Sequence, residues 1–341
     1  MLSNNLRYYR KMAGLTQEEL AKKINVTKMT ISHYESGQRE ADSSVILKLA
    51  KALNIKTYDL VLSVNPNLVI THGDFKKASG CFHEKVKLAC DSVDRYLNRF
   101  FNIVTILGGN VLPRFKALEK IKFVEPKKCA ERLRVFLGLP AFMTVPNLID
   151  LLEEKGIVVC QLENVNRQIY GLNGTVNQRP YVMINNQLSP TQQRFTVIHE
   201  LIHLLFNFSK KDEAQKESLI DKSAGMFFIG SEDLKRELGF HRTNILNDLL
   251  PLKQKYGVDI KTILHRANEE NIIDSKTYKK HLAYIRKNKL TDNSQFELYP
   301  EKSVLFRQLV FRGLSENLIS SSKAAELLGY TLQEQLLALG K

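Results

Sequence analysis

An apolar run from Phe195 to Phe206 contains the pattern H-E-x-x-H, and it constrains the chain more than any other stretch. Its apolar character predicts a helix buried in a core. Residues four apart lie on the same face of a helix, so His199 and His203 would point at one spot. Two imidazoles there form half of a tetrahedral zinc site, and Glu200 is placed to accept a proton from water. A buried helix that merely contains two histidines is the alternative.

A candidate third ligand lies in the next helical stretch. Glu217 and Asp221 are four residues apart and therefore share one face of the predicted helix. We predict Glu217 as the third zinc ligand. Asp221 is predicted to accept a hydrogen bond from the far ring nitrogen of one ligating histidine. The alternative is a solvated carboxylate pair beside Lys216 and Lys222, but a glutamate that follows H-E-x-x-H after a loop favours the zinc site.

Length and composition describe a folded, soluble chain of several domains. Of its 341 residues, 43% are hydrophobic and 25% are charged, which excludes a disordered protein. Two or three domains with separate cores are expected. The formal net charge of +14 favours a polyanionic partner. Since no stretch reads as a membrane span or a signal peptide, we expect a cytoplasmic protein that has no membrane partner.

The first 65 residues carry the signals of a bundle of short helices. Thr16 and Glu19 form a capping box that begins one helix, and Gly37 ends the next. Ser43 or Ser44 is predicted to begin the helix after that. Apolar residues at helical spacing predict the core: Leu20, Ala21, Ile24, Val26, Ile31 and Leu49. We therefore predict an all-α helix-turn-helix domain.

This stretch resembles the Xre/Cro family of helix-turn-helix repressors over its whole length. The matching segments are residues 14–21, 26–27, 30–32 and 34–37. The resemblance implies that the second helix of the motif enters the major groove of double-stranded operator DNA and that the chain acts as a homodimer. By position, the base-reading residues are Lys28, Met29, Thr30 and His33. The residues that would hold phosphates are Gln17, Thr27, Ser32 and Arg39.

The rest of the chain divides into three predicted segments. Residues 66–125 form a helical connector, with a long amphipathic helix at about 84–104 that is a candidate for dimer contacts. Residues 126–230 mix helical patterns with short apolar strands before the H-E-x-x-H helix, which predicts an α+β domain. Residues 231–341 predict a helical C-terminal region.

The predicted α+β domain resembles the ImmA/IrrE metallopeptidases. The resemblance rests on Gly171, on the strand that ends in Ile184 and Asn185, and on the segment from Gln193 through the H-E-x-x-H pattern. It implies a zincin-like fold and a zinc cofactor held by His199, His203 and Glu217. Glu200 would be the catalytic residue, and Asp221 matches the aspartate of the family's E-x-x-A-D motif. Members of this family cleave or control Xre-type repressors.

The sequence departs from the family pattern at three positions. Ile202 stands where the family often has Gly, Ile220 where it has Ala, and Gly230 where it has Pro. The bulkier Ile202 is expected either to narrow the cleft or to tighten the packing behind the helix. Zinc binding is unaffected in either case.

The strand from Tyr181 to Asn185 directly precedes the H-E-x-x-H helix in the sequence. One interpretation places it on the rim of a cleft, where its free backbone groups would pair with an extended peptide. An inner strand is the alternative.

Two functions are compatible with this sequence. In the first, a DNA-binding repressor carries a zinc metallopeptidase domain that relieves repression by cleaving the chain itself or a partner protein. In the second, the zinc domain is a non-cleaving receptor for an inducer protein or peptide. An antitoxin that represses its own operon is a further alternative.

Overall fold

The computed structural model describes residues 2–55, 57–61, 68–73, 83–115, 120–208, 211–288, 290 and 298–329. The chain folds into two compact units. The first comprises residues 1–69, 78–112 and 304–341, and the second comprises residues 70–77 and 113–303. Neither unit is continuous in sequence, so each combines segments that the sequence analysis treated separately. Among the described residues, no helix combines the length and apolarity needed to cross a bilayer.

The first unit begins with the five helices of the predicted helix-turn-helix region. They are α1 (Leu2–Met12), α2 (Gln17–Ile24), α3 (Lys28–Ser36), α4 (Ser43–Leu53) and α5 (Thr57–Val61). The capping box of Thr16 and Glu19 is present at the start of α2. Asn25 ends α2 and Gly37 ends α3 with left-handed backbones. Leu20, Ile31 and Leu49 are fully buried in the shared core, as predicted.

One predicted helix boundary in this region is wrong. Asp42, rather than Ser43 or Ser44, caps α4, because its side chain accepts a hydrogen bond from the backbone N–H of Val45. A capping carboxylate also interacts favourably with the positive end of the helix dipole. Ser44 instead donates a hydrogen bond to Asp42.

Among its described residues, the first unit also contains one long helix and two helices from later in the chain. They are α6 (His83–Ile106), α15 (Leu305–Ser315) and α16 (Ser321–Leu328). Both late helices contact α6. Phe306 packs its ring against Tyr96 and Phe100, with centroids 5.4 and 5.6 Å apart. The aromatic stripe of α6 is therefore covered by residues more than 200 positions away in sequence.

The second unit contains a four-stranded sheet and a two-stranded one. The larger has the order β1 (Ile70–His72), β4 (Gly171–Val176), β5 (Arg179–Asn185) and β3 (Val158–Leu162). Strand β4 is antiparallel to both of its neighbours, whereas β3 and β5 are parallel. The smaller sheet pairs β2 (Ile121–Lys122) with β6 (Phe206–Asn207).

The sheet topology decides between the two interpretations of Tyr181–Asn185 in favour of the inner strand. These residues belong to β5, which is hydrogen-bonded to β4 on one side and to β3 on the other. Their backbone groups are therefore committed within the sheet and are not available to a peptide. Alternation of apolar residues fixes which faces a strand buries but not which strands lie beside it, so the sequence left this question open.

Helices cover the sheet and build the main core of the second unit. They are α7 (Pro126–Leu137), α8 (Leu148–Glu154), α9 (Pro190–Leu205), α10 (Glu213–Phe228), α11 (Ser231–Leu238), α12 (Leu246–Tyr256), α13 (Ile260–Glu269) and α14 (Ser275–Lys287). Helix α9 packs on β4 and β5, and α10 packs on both α7 and α9. One continuous apolar cluster joins these layers. The two helices that carry the predicted zinc ligands are thus held side by side.

Candidate metal centre

Helix α9 carries the H-E-x-x-H pattern, and its start is fixed by local signals. Ser189 accepts a hydrogen bond from the backbone of Gln192, whose side chain bonds back to the Ser189 N–H. Pro190 occupies the first turn, where the missing N–H costs nothing. The helix then runs unbroken through His199 and His203, which are only 7% and 8% exposed.

Helix α10 brings the predicted third ligand to the two histidines. His199 Nε2 and His203 Nε2 lie 3.2 Å apart. Glu217 Oε2 is 3.3 Å from the first of these nitrogens, and Oε1 is 3.1 Å from the second. Donor atoms on a tetrahedral ion, at metal–ligand distances of about 2.0–2.1 Å, lie about 3.3 Å from each other. Each of the three side chains therefore places a donor atom within 4.8 Å of the other two, and a zinc ion held by these three residues would keep one tetrahedral position open.

Asp221 lies on the far side of one imidazole, where a ligating histidine needs a hydrogen-bond acceptor. Its Oδ1 is 2.9 Å from His199 Nδ1, an arrangement that leaves Nε2 directed at Glu217. Burial lowers the pKa of His199, but the hydrogen bonds to Asp221 and Glu217 outweigh it and raise that pKa to about 9. The same two carboxylates would also stabilise a divalent cation bound by the imidazoles.

Glu200 lies beside this group and is held by a residue that sequence reasoning missed. Asn173, on β4, donates a hydrogen bond from Nδ2 to Glu200 Oε2 at 2.6 Å. A β-carbon at Gly171 would lie 3.0 Å from Glu200 Oε1 and closer still to Thr196, so a side chain there would crowd the carboxylate. Gly171 was noted in the sequence as part of a resemblance. No local pattern pointed to Asn173, because its contact with Glu200 spans 27 residues.

The departures at Ile202 and Ile220 are accommodated in the apolar core. Both side chains are 0% exposed and belong to the main cluster of the second unit. Ile202 therefore packs behind the helix, which was one of its two expected effects, and Ile220 does the same on α10. The residues that differ from the family pattern thus support the helices and supply no donor atom.

The predicted DNA-contacting residues cluster around α3. Lys28 and Met29 are exposed at its start, and 68% of Met29 is accessible. Thr27 caps the helix by accepting a hydrogen bond from the N–H of Thr30. The hydroxyls of these two threonines also bond to each other, at 2.9 Å. Ser32 and His33 are half-buried. Thr27 and Thr30 therefore have structural roles that do not depend on DNA.

Two of the predicted phosphate-contacting residues have intramolecular partners. Gln17 donates from Nε2 to Glu35 Oε2 at 2.9 Å. The Arg39 guanidinium lies over the Tyr34 ring, 5.7 Å from its centroid. Glu35, which is 2% exposed, also forms a two-pronged ion pair with Arg10. This buried network was absent from the sequence analysis, since no local spacing links Arg10 to Glu35.

Comparison with known proteins places both regions. The family described as helix-turn-helix matches residues 6–60, and the family described as the IrrE N-terminal-like domain, a peptidase family, matches residues 152–268. An HTH-type transcriptional regulator of Methanocaldococcus jannaschii is 38% identical over 61 residues, which are 18% of this chain and 92% of that protein. The HTH-type transcriptional regulator ImmR of Bacillus subtilis is 38% identical over 56 residues, 16% of this chain and 44% of ImmR.

A solved structure of a Mycobacterium tuberculosis transcriptional regulator is also similar, at 17% identity and a TM-score of 0.31. It covers 42% of this chain and 46% of its own, and so low a score supports no argument about the fold.

The DNA-binding helices and the His-His-Glu group together define a transcriptional regulator with a metallopeptidase-type domain. The chain belongs to the Xre-type helix-turn-helix regulators and also carries an IrrE/ImmA-like domain.

Proposed function

We propose that this regulator binds double-stranded operator DNA as a homodimer and that its zinc peptidase domain relieves repression by cleaving the chain itself or a partner protein. The observation that carries the proposal is the donor set of His199, His203 and Glu217, whose atoms are separated by tetrahedral distances. Glu200 lies beside these three residues and is not itself a proposed ligand. The zinc and the cleavage are proposals that rest on this arrangement.

The residues around the site have separable roles in the proposed reaction. A bound zinc ion would lower the pKa of a water molecule and polarise a peptide carbonyl. Asn173 holds Oε2 of Glu200, so Oε1 is the oxygen that accepts the proton of the attacking water. Asp221 fixes the ring of His199 so that Nε2 serves as a ligand. Ile202 and Ile220 pack the two helices into the apolar core behind the site.

Intact-mass analysis tests cleavage. The zinc-loaded chain and its Glu200→Gln variant are each mixed with the protein products of the neighbouring genes. We expect new fragments with the wild-type chain only, because the amide that replaces the carboxylate cannot accept a proton. An equal absence of fragments in both samples contradicts the cleavage proposal.

A non-cleaving receptor is the second candidate, and the strand arrangement favours it. The side of β4 that faces away from β5 is already paired with β1, so an incoming peptide finds no free strand edge there. In a reporter assay, the receptor function predicts normal induction in Glu200→Gln and loss of induction in His203→Ala. Cleavage predicts loss in both.

The DNA-binding part of the proposal rests on the exposed start of α3. Lys28 and Met29 are exposed there, and neither belongs to the apolar core of the helix-turn-helix. Selection from a pool of random duplexes tests this directly. We expect the bound sequences to share a two-fold symmetric site, and a site without symmetry would contradict the homodimer.

A further inference from the structure

Strand β1 pairs with β4, and β4 carries Asn173, which contacts the candidate catalytic carboxylate of Glu200. It is antiparallel to β4, with Ile70 opposite Val176 and His72 opposite Gly174. The Gly73 N–H continues the ladder by donating to the carbonyl oxygen of Asn173 at 2.7 Å. Asn173 is the residue whose side chain bonds to Glu200. The segment Ile70–Gly73 therefore ends on the residue that holds Glu200.

This geometry is that of a peptide bound by strand addition. In that mode an extended peptide pairs with an exposed strand edge, and its side chains occupy the flanking surface. Without β1, strand β4 would be the edge of the described sheet. Segment Ile70–Gly73 has the extended conformation and the antiparallel direction of a bound peptide, and it contacts Asn173, the residue that holds Glu200.

Two glycines allow the segment to lie so close. A β-carbon on Gly73 would collide with Oδ1 of Asn173, and one on Gly174 would collide with the carbonyl oxygen of Thr71 and with the Tyr181 hydroxyl. A peptide in this position therefore needs a residue without a side chain opposite Asn173. Strand β4 therefore selects peptides that have glycine at this position.

Two side-chain hydrogen bonds help to hold this short segment against the sheet. Thr71 and Thr175 share a hydrogen bond between their hydroxyls at 2.6 Å, and His72 Nδ1 lies 2.6 Å from the Tyr181 hydroxyl. The strand is only three residues long, and Thr71 is exposed. Short edge strands with few buried contacts open at low free-energy cost.

We propose that the edge of β4 is a peptide-binding position and that this chain's own segment Ile70–Gly73 fills it as an internal competitor. The proposal rests on the proposed function for the role of Glu200. A peptide with a glycine opposite Asn173 would displace the segment.

Hydrogen exchange in the full chain tests whether the segment can be released. All samples carry Glu200→Gln, so that no peptide is cut. Hydrogen bonds to one neighbour alternate along an antiparallel strand, so the N–H of Thr71, like that of Gly73, faces β4. Thr71→Pro removes this N–H, while the matched control Thr71→Val keeps it. We expect exchange at the Thr175 amide, which pairs with Thr71, to accelerate by at least about tenfold in Thr71→Pro alone.

Binding in trans is measured with a labelled synthetic peptide that has the sequence of residues 68–76. An internal competitor acts at an effective concentration on the order of millimolar. We therefore expect Thr71→Pro to bind the peptide at least about tenfold more tightly than Thr71→Val does. The same peptide with alanine in place of Gly73 should not bind. Equal exchange and equal peptide affinity in the two variants would overturn the proposal.

Gly174→Ala provides a second test that does not place proline in the chain. Its methyl group would expel the segment and also block the peptide, so we expect fast exchange without peptide binding. Full protection of the Thr175 amide in this variant would also overturn the proposal. None of these measurements requires zinc or turnover. If the chain never cleaves a protein, the proposed function fails its own test. The exchange and peptide-binding measurements still test this proposal.

Discussion

Replacement of Asp221 by asparagine tests whether the carboxylate behind His199 supports the metal site. The substitution keeps the shape of the side chain and an acceptor oxygen but removes the charge that lies 2.9 Å from His199 Nδ1. Loss of such a supporting partner typically lowers metal affinity by about 10- to 100-fold. The Asp221 side chain is 47% exposed, so solvent screens its charge and the loss should lie near the lower end.

We therefore expect about a tenfold weaker zinc affinity, equivalent to about 1.4 kcal/mol. Competition with a chromophoric chelator at fixed pH measures the zinc Kd of the purified chain. Glu213→Gln is the matched control, because it removes the same charge from the same helix. Glu213 is 57% exposed and pairs with Lys216 rather than with a histidine.

Two outcomes would refute the reasoning. An unchanged Kd in Asp221→Asn would mean that this carboxylate does not tune the ligand. An equal loss in Glu213→Gln would assign the effect to the general charge of α10 and not to the hydrogen bond. Glu217→Gln, which alters a proposed ligand, should reduce affinity much more than either.

Three further predictions concern residues outside the ligand set. Asn173→Ala should lower the rate of any cleavage at unchanged zinc content, because Glu200 loses the partner that orients it; an equal fall in zinc content would indicate a structural role. Arg10→Met should lower the free energy of unfolding of the helix-turn-helix by about 3–5 kcal/mol, since it leaves Glu35 buried without its main counter-charge; urea denaturation followed by circular dichroism measures this, and a change below about 1 kcal/mol would contradict it. Lys28→Ala should weaken binding to selected DNA and reduce its salt dependence, whereas an unchanged salt slope would remove Lys28 from the phosphate or base contacts.

Local signals in the sequence were sufficient to predict most helices. The capping box at Thr16 and the glycine after α3 act between residues three or four apart, so their effect is confined to one turn of helix and can be read from the local sequence. The wrong cap at α4 arose because Asp42, Ser43 and Ser44 are all good capping residues and the sequence does not rank them.

Contacts between distant strands were not predictable in the same way. Nothing in the composition of Ile70–His72 identifies it as a partner of β4, and the hydrogen bond from Asn173 to Glu200 joins two different elements. The same is true of Arg10 and Glu35. These pairings depend on how the elements pack against one another. The periodicity of residues along the chain does not identify which elements become neighbours.

The sequence by itself determined that His199 and His203 share one face of a helix and that Glu217 and Asp221 share one face of the next. Helical periodicity sets the direction of residues four apart. It also determined the helix-turn-helix, whose caps and core positions are local. Only the tertiary structure decided that α10 lies against α9 at ligand distance, that Asn173 holds Glu200, and that Ile70–His72 covers the edge of β4. Those features are set by packing between segments far apart in the chain, where the burial of apolar surface, and not local backbone preference, selects the neighbour.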